Sequence, residues 1–418
     1  LVFTLLSTSV PAQRRLDTTT FIVLGEGLAA GMADFALREV YQQQSFPAQM
    51  ARQMKVLFPQ PLIESPGIGS APGFTALPPR LPGILQGSVR RPFPPYLFVF
   101  NLSVPGLRLA DSLNLRPSPP LIHQHDSRQT VINFILGYPA LVAGEALPLW
   151  TQAEYAVKLR PTFAVVALGY SDVLEPAVLD DPSLLPDAGA FRSNFERLLS
   201  GLKQSFPELL VLTIPDPFDT AYFTPLAAAT RLLGAEPETL IGRYRLLPDD
   251  YLTPRGLMLL GNFTLGNVVI DDPDFHHLGD RYPGTVVGAA TRAAVTAQVV
   301  ALNRELRSVA ERSGAIVYDL HGLFQRLRTE GLWVGTRHLT AEYLGGLYSL
   351  NGYYPGTTGH AVIANELLQV LNQTFRTSYP PIELAQVSSE DPAVRFRPGI
   401  QRGNRPVVPR RGPQRNTP

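Results

Sequence analysis

The sequence predicts an α/β protein, a three-layer α/β/α sandwich around a parallel sheet of about five strands. Three observations lead there. Apolar runs of strand length recur along the chain and are continuous rather than alternating, which suits strands covered on both faces. Longer stretches with apolar residues about one helical turn apart lie between them, and strand–helix alternation builds a parallel sheet. Gly, Asn or Asp stands at the end of each run or within two residues after it, where the carboxyl ends of parallel strands gather a site.

The elements follow in order. Residues 21–24 (FIVL) form the first strand and run into Gly25-Glu26-Gly27. Residues 96–101 (YLFVFN) form the second, 163–167 (FAVVA) the third, 209–214 (LLVLTI) the fourth and 315–319 (AIVYD) the fifth. Helices are predicted over residues 46–57, 191–204, 289–313 and 360–375. In the longest, Val295, Val299, Leu302 and Leu306 fall on one face. Residues 59–95, rich in Pro and Gly, read as a long surface loop, and residues 237–284 as a mixed segment capping one end of the sheet.

Composition narrows the function classes. The chain has 418 residues, 45% hydrophobic and 17% charged, enough apolar surface for a large core. A net charge of +1 gives no field that would gather nucleic acid or an anionic membrane, so no nucleic-acid partner is expected. With no cysteine, disulfides, thiol nucleophiles and thiolate metal sites are excluded. Residues 1–10 (LVFTLLSTSV), followed by Pro11-Ala12 and polar Gln13-Arg14-Arg15, read as the remnant of a signal peptide, so an exported protein, periplasmic or extracellular, is expected. No later stretch reaches the roughly 18 apolar residues of a transmembrane helix. From Asp391 the chain carries seven arginines and six prolines and reads as a disordered basic tail. The expected division is 1–16 leader remnant, 17–380 folded domain and 391–418 tail.

The segments after the strands carry the chemistry. They are Gly25-Glu26-Gly27-Leu28, Asn101-Leu102-Ser103-Val104-Pro105-Gly106, Gly169-Tyr170-Ser171-Asp172, Pro215-Asp216-Pro217, and Asn351-Gly352-Tyr353-Tyr354-Pro355 ahead of the last helix. In order and spacing, from about Thr19 to Phe375, this series resembles the SGNH/GDSL hydrolases, a family of lipases, esterases and acylhydrolases. Thr213 to Asp216 and the Gly345 to Leu350 lead are similar to the family's flanking text. The resemblance implies an SGNH-type fold. It also implies a serine nucleophile in Gly-Asp-Ser-Leu, a histidine base with its orienting aspartate in Asp-x-x-His-Pro, and an oxyanion hole of serine N–H, glycine N–H and asparagine.

This chain departs at nearly every such position. Gly27 stands at the nucleophile position, with Glu26 for the neighbouring aspartate. Ser171 replaces the oxyanion asparagine, Asn351 the orienting aspartate, and Tyr354 the base. A phenol of ordinary pKa about 10 does not serve as a base near neutrality. Gly106 keeps the oxyanion glycine, with Asp172 beside Ser171. No intact catalytic set remains.

Other residues near these positions could take over the chemistry. Ser103 and Ser70 read as loop and turn serines. Glu26 has two readings, a base acting on water or the cap of the following helix, and the cap is preferred. His360 reads as a structural residue at the start of the last helix. His123-Gln124-His125-Asp126 has the two-imidazole spacing of a metal pair on a strand but no clear third ligand, and Asp271-Asp272-Pro273-Asp274-Phe275-His276-His277 reads as a solvated acidic loop. No metal or cofactor is expected. Three functional readings follow: an inactive member that binds an ester, a lipid, an acylated glycan or a protein partner with the old cleft; an ester hydrolase working through unconventional residues; and a structural or scaffold protein.

Overall fold

The computed structural model describes residues 15–69, 85–86, 96–143, 149–205, 207–234, 236–261 and 276–395. Residues 1–14, where a signal-peptide remnant is expected, Ser70, most of residues 59–95, the acidic run Asp271 to Asp274 and the chain after Arg395 lie outside the described residues.

Four of the apolar runs form one parallel sheet: β1 (Phe21–Gly25), β2 (Phe163–Ala167), β3 (Glu208–Leu212) and β4 (Ile316–Tyr318), side by side in that order. Register runs from Phe21 opposite Phe163 to Gly25 opposite Ala167, from Phe163 opposite Glu208, and from Leu210 opposite Ile316. β1 and β2 are buried along their whole length, which explains why they carry apolar residues at every position. Phe21 stacks between Phe58 and Phe163 at 5.0 and 5.2 Å.

Residues 96–101 differ from the expected strand. They form no regular strand but lie along the free side of β1 through one parallel bridge, Val23 with Asn101. The Val23 N–H donates to Phe100 O at 2.9 Å, and Leu102 N–H returns to Val23 O at 2.9 Å. On its outer side the Phe100 N–H donates to Pro59 O at 2.8 Å, a single bond rather than a ladder. Tyr96, Leu97 and Phe98 are accordingly exposed by 40%, 41% and 36%.

Six helices matter for the site. They are α1 (Gly27–Ala30), α2 (Phe46–Met54), α3 (Tyr170–Val178), α4 (Ala188–Leu202), α5 (Ala289–Arg312) and α6 (Thr357–Phe375). α2 stops before the expected residue 57 because Lys55 turns left-handed at φ 57°. α5 buries the predicted Val295, Val299, Leu302 and Leu306. Its Asn303 clasps the end of β3, donating to Ile214 O at 2.8 Å and accepting from Ile214 N at 2.7 Å. None of the helices among the described residues is long and apolar enough to cross a membrane.

Between β3 and β4 the chain builds a small unit with its own core, around Leu226, Leu240, Tyr244, Leu252, Leu257 and Leu278. Its antiparallel sheet joins Thr224–Pro225, Tyr251–Leu252 and Val286–Val287. The mixed segment of the sequence is thus a satellite core rather than a simple cap.

The folded chain also continues past Asp391, where the sequence analysis placed the start of a disordered tail. Asp391 is 1% exposed and Val394 6%. The N-cap position of α6 is Gly356, which offers no side chain, and Asp391 supplies the missing acceptor from beyond the helix: its carboxylate takes the Thr358 N–H at 2.7 Å and the Ala393 N–H at 2.9 Å. Asp391→Ala is therefore expected to cost about 1–2 kcal/mol, the usual loss for a helix cap. Urea unfolding of the two proteins checks this, and equal midpoints would remove the cap from the account.

Candidate functional site

Residues 99–104 lie on one side of β1 and β2 on the other, so the chain order reverses at β1. In open parallel sheets that reversal leaves a crevice at the carboxyl ends of the strands, where ligands bind. Here the crevice is the junction of Gly25, α1 and α3, and it is filled.

Glu26 is the hub. It caps α1, its Oε1 accepting the Leu28 N–H at 3.2 Å, in agreement with the cap reading. The other oxygen, Oε2, accepts the Ser171 hydroxyl at 2.9 Å and the Tyr354 hydroxyl at 3.1 Å. All three side chains are buried, Glu26 completely. Three positions that the sequence shows as separate departures are thus one hydrogen-bonded set.

Tyr354 occupies the room that a side chain at position 27 would need. A Cβ on Gly27 would fall 2.7 Å from Tyr354 Cε2 and closer still to its hydroxyl oxygen and Cζ. Volume lost at one end of the fold is regained from the other, 327 residues away in sequence. The turn carrying Tyr354 is held by its own side chains and by neighbouring rings. Asn351 Oδ1 accepts the N–H groups of Tyr353 at 3.1 Å and Tyr354 at 2.9 Å. Gly352 sits at φ 79°, so close to Tyr222 that a Cβ would come within 2.9 Å of its backbone. The Tyr170 hydroxyl donates to Tyr353 O at 3.1 Å, and the Tyr170 and Tyr353 rings meet Tyr354 edge-on at 6.1 and 4.9 Å.

Burial sets the electrostatics. It pushes the Glu26 carboxyl up to about 7 against the hydroxyl and N–H donors that favour the charge. Asp172, bonded to the Leu109 N–H at 2.9 Å, is likewise raised to about 7 by burial. Tyr354 is pushed well above its ordinary value by burial and by the neighbouring Glu26. A carboxyl poised near neutrality could act on water, but Glu26 has no exposed surface through which substrate would reach it. The cavity beside it, between Leu28, Ala167, Tyr170, Leu212 and Leu320, measures about 10 Å³, the lower limit for one water.

No family of sequences matches this chain, and no curated protein does. Solved structures similar to it include the lipase/acylhydrolase from Enterococcus faecalis, 12% identical, over 87% of this chain and 99% of that one, with a TM-score of 0.34. Phospholipase A1 from Streptomyces albidoflavus NA297 is 11% identical over 86% of this chain and 100% of its own, with a TM-score of 0.36. An extracellular lipase from Streptomyces rimosus is 13% identical over 85% and 98%, with a TM-score of 0.33.

The remaining candidates fall outside the Glu26 set. Gly106 lies in the turn after residues 99–104, at φ 74° with open space where a Cβ would be, and Val104 N–H ties that turn to Gly25 O at 3.2 Å. The Ser103 hydroxyl is buried beside Gly25 without a partner among the described residues. His360 is structural, as expected: its Nδ1 accepts the Phe46 N–H at the head of α2 at 3.3 Å, and burial holds its pKa down to about 3, so the ring is neutral. His123 lies in a turn rather than on a strand, its Nε2 against Ser118 O at 3.1 Å, and Asp126 caps the helix Ser127–Ile135. His277 pairs with Asp250 at 2.8 Å.

What sequence reasoning missed is the coupling among Glu26, Ser171 and Tyr354, and the part played by Tyr170. The signal was there in one form: a side chain vanishes at Gly27 while a large one arrives at Tyr354.

Proposed function

We propose that this chain is an SGNH/GDSL-type hydrolase scaffold that has given up ester hydrolysis and acts by binding. The supporting observation is that the Tyr354 phenol fills the side-chain space of position 27 and is hydrogen-bonded to Glu26 there. A nucleophile cannot be replaced by glycine, and its room taken by a phenol, without ending covalent catalysis. The motif series from Thr19 to Phe375 supports the family; the apolar leader supports export. Binding of an ester, a lipid or an acylated glycan at the strand ends requires Tyr354 to move, since Glu26, Ser171, Asn351 and Tyr354 are buried. A protein partner on the outer surface makes no such demand.

The purified chain is expected to show no saturable hydrolysis of short-chain aryl esters above background. It is also expected to form no adduct with a serine-directed fluorophosphonate. Stoichiometric labelling of any serine would overturn the reading and identify the nucleophile.

A further inference from the structure

We propose that Glu26 is a proton-operated latch on the turn of residues 351–355: protonated, it joins Ser171 and Tyr354 in a neutral hydrogen-bonded set that seals the strand ends, and ionised, it loosens that turn. This adds a conformational device and does not depend on whether the chain hydrolyses esters.

The geometry isolates the carboxyl from compensating charge. Its own helix offers the Leu28 N–H. From α3 it faces the Ser171 hydroxyl, with Tyr170 and the second buried carboxyl, Asp172, as the titratable groups there. From the turn before α6 it faces Tyr354, backed by Tyr353. On the Asp172 side, Arg108 acts on Asp172 and pairs with Glu175 at 2.8 Å. Ionised Glu26 thus relies on hydroxyl and N–H dipoles in a site with room for at most one water, and shares the site with Asp172 of the same sign. The hydroxyls suit both states, since each rotates to donate to the carboxylate or to accept from the acid.

The turn is the element able to yield. β1 and β2 are fixed by a five-pair ladder and α3 by its packing, whereas residues 351–355 have a single backbone bridge, Tyr348 with Pro355, two backbone bonds, Ser349 N–H to Tyr354 O at 3.0 Å and Gly352 N–H to Ser349 O at 2.9 Å, and side-chain bonds from Asn351, Tyr170 and Tyr354 itself. Local opening of such a segment is the least costly way to bring water to a buried charge. Burial raises the Glu26 carboxyl to about 7, which places the event near neutral pH.

Hydrogen exchange of the full chain, read on peptides covering residues 350–356 and corrected for the intrinsic effect of pH, tests the latch. Between pH 5.5 and 8.5 protection in this peptide is expected to fall at least tenfold in the parent and not to fall in Glu26→Gln. Ser171→Ala, which removes a donor to the ionised form, should move the midpoint to higher pH. Equal protection at both pH values in the parent would overturn the proposal. So would a fall that persists in Glu26→Gln, or one abolished by Asp172→Asn instead. If Glu26→Gln does not fold, an unmoved or lowered midpoint in Ser171→Ala is decisive against it.

Discussion

Gly27→Ser, which would place a hydroxyl at the end of β1, is expected to destabilise the protein by about 3 kcal/mol, at the upper end of overpacking costs. The new Cβ would land on the Tyr354 ring, which is held from several sides and has little freedom to withdraw. Tyr354→Ala alone is expected to cost about 4 kcal/mol, as buried aromatic truncations do. The double variant should then be less damaged than the sum, with a coupling on the order of 2 kcal/mol, because the serine occupies space the ring has left. Denaturant titration of the four proteins measures this cycle. Strict additivity would mean that the two positions do not compete for the same volume.

The second large effect concerns pH. Glu26 and Asp172 both have folded values of about 7, above their ordinary 4.5 and 3.8, with burial the main cause in each. Raised carboxyls reverse the usual carboxylate pattern. Between those ordinary values and about 7 the folded chain keeps protons that the unfolded chain has released, so stability falls as pH rises. Their contribution is fully present below about pH 4 and is lost on passing 7. At about 1.4 kcal/mol per unit, Glu26 alone accounts for a loss on the order of 3 kcal/mol. Glu26→Gln should therefore gain on the parent by about that amount between pH 4.5 and 7.5. Unfolding free energies measured at intervals across that range provide the check, and parallel curves for parent and variant would contradict it.

The sheet was legible because burial on both faces leaves a strand no choice of pattern: Phe21 to Leu24 and Phe163 to Ala167 are apolar at each step. The segment 96–101 had the same apolar density, but a regular strand also needs continuous pairing, and this one meets β1 through a single bridge. Helix faces such as that of Val295 to Leu306 were readable from spacing alone. Asp391 was not, because its burial depends on the vacant cap at Gly356, a partner no local pattern reveals. The site divides in the same way. Which residues stand at the strand ends follows from order along the chain. That Ser171 and Tyr354 converge on one oxygen of Glu26 depends on side-chain direction, which only the folded chain supplies.

The satellite core between β3 and β4 begins and ends in one small sheet, where Thr224 and Val286 flank Leu252 in a single row. At two strand spacings, those positions are about 10 Å apart. Entry and exit thus sit at one place, so the unit adds surface without lengthening the reach from β3 to β4, and Val287, buried in the main core, anchors it there.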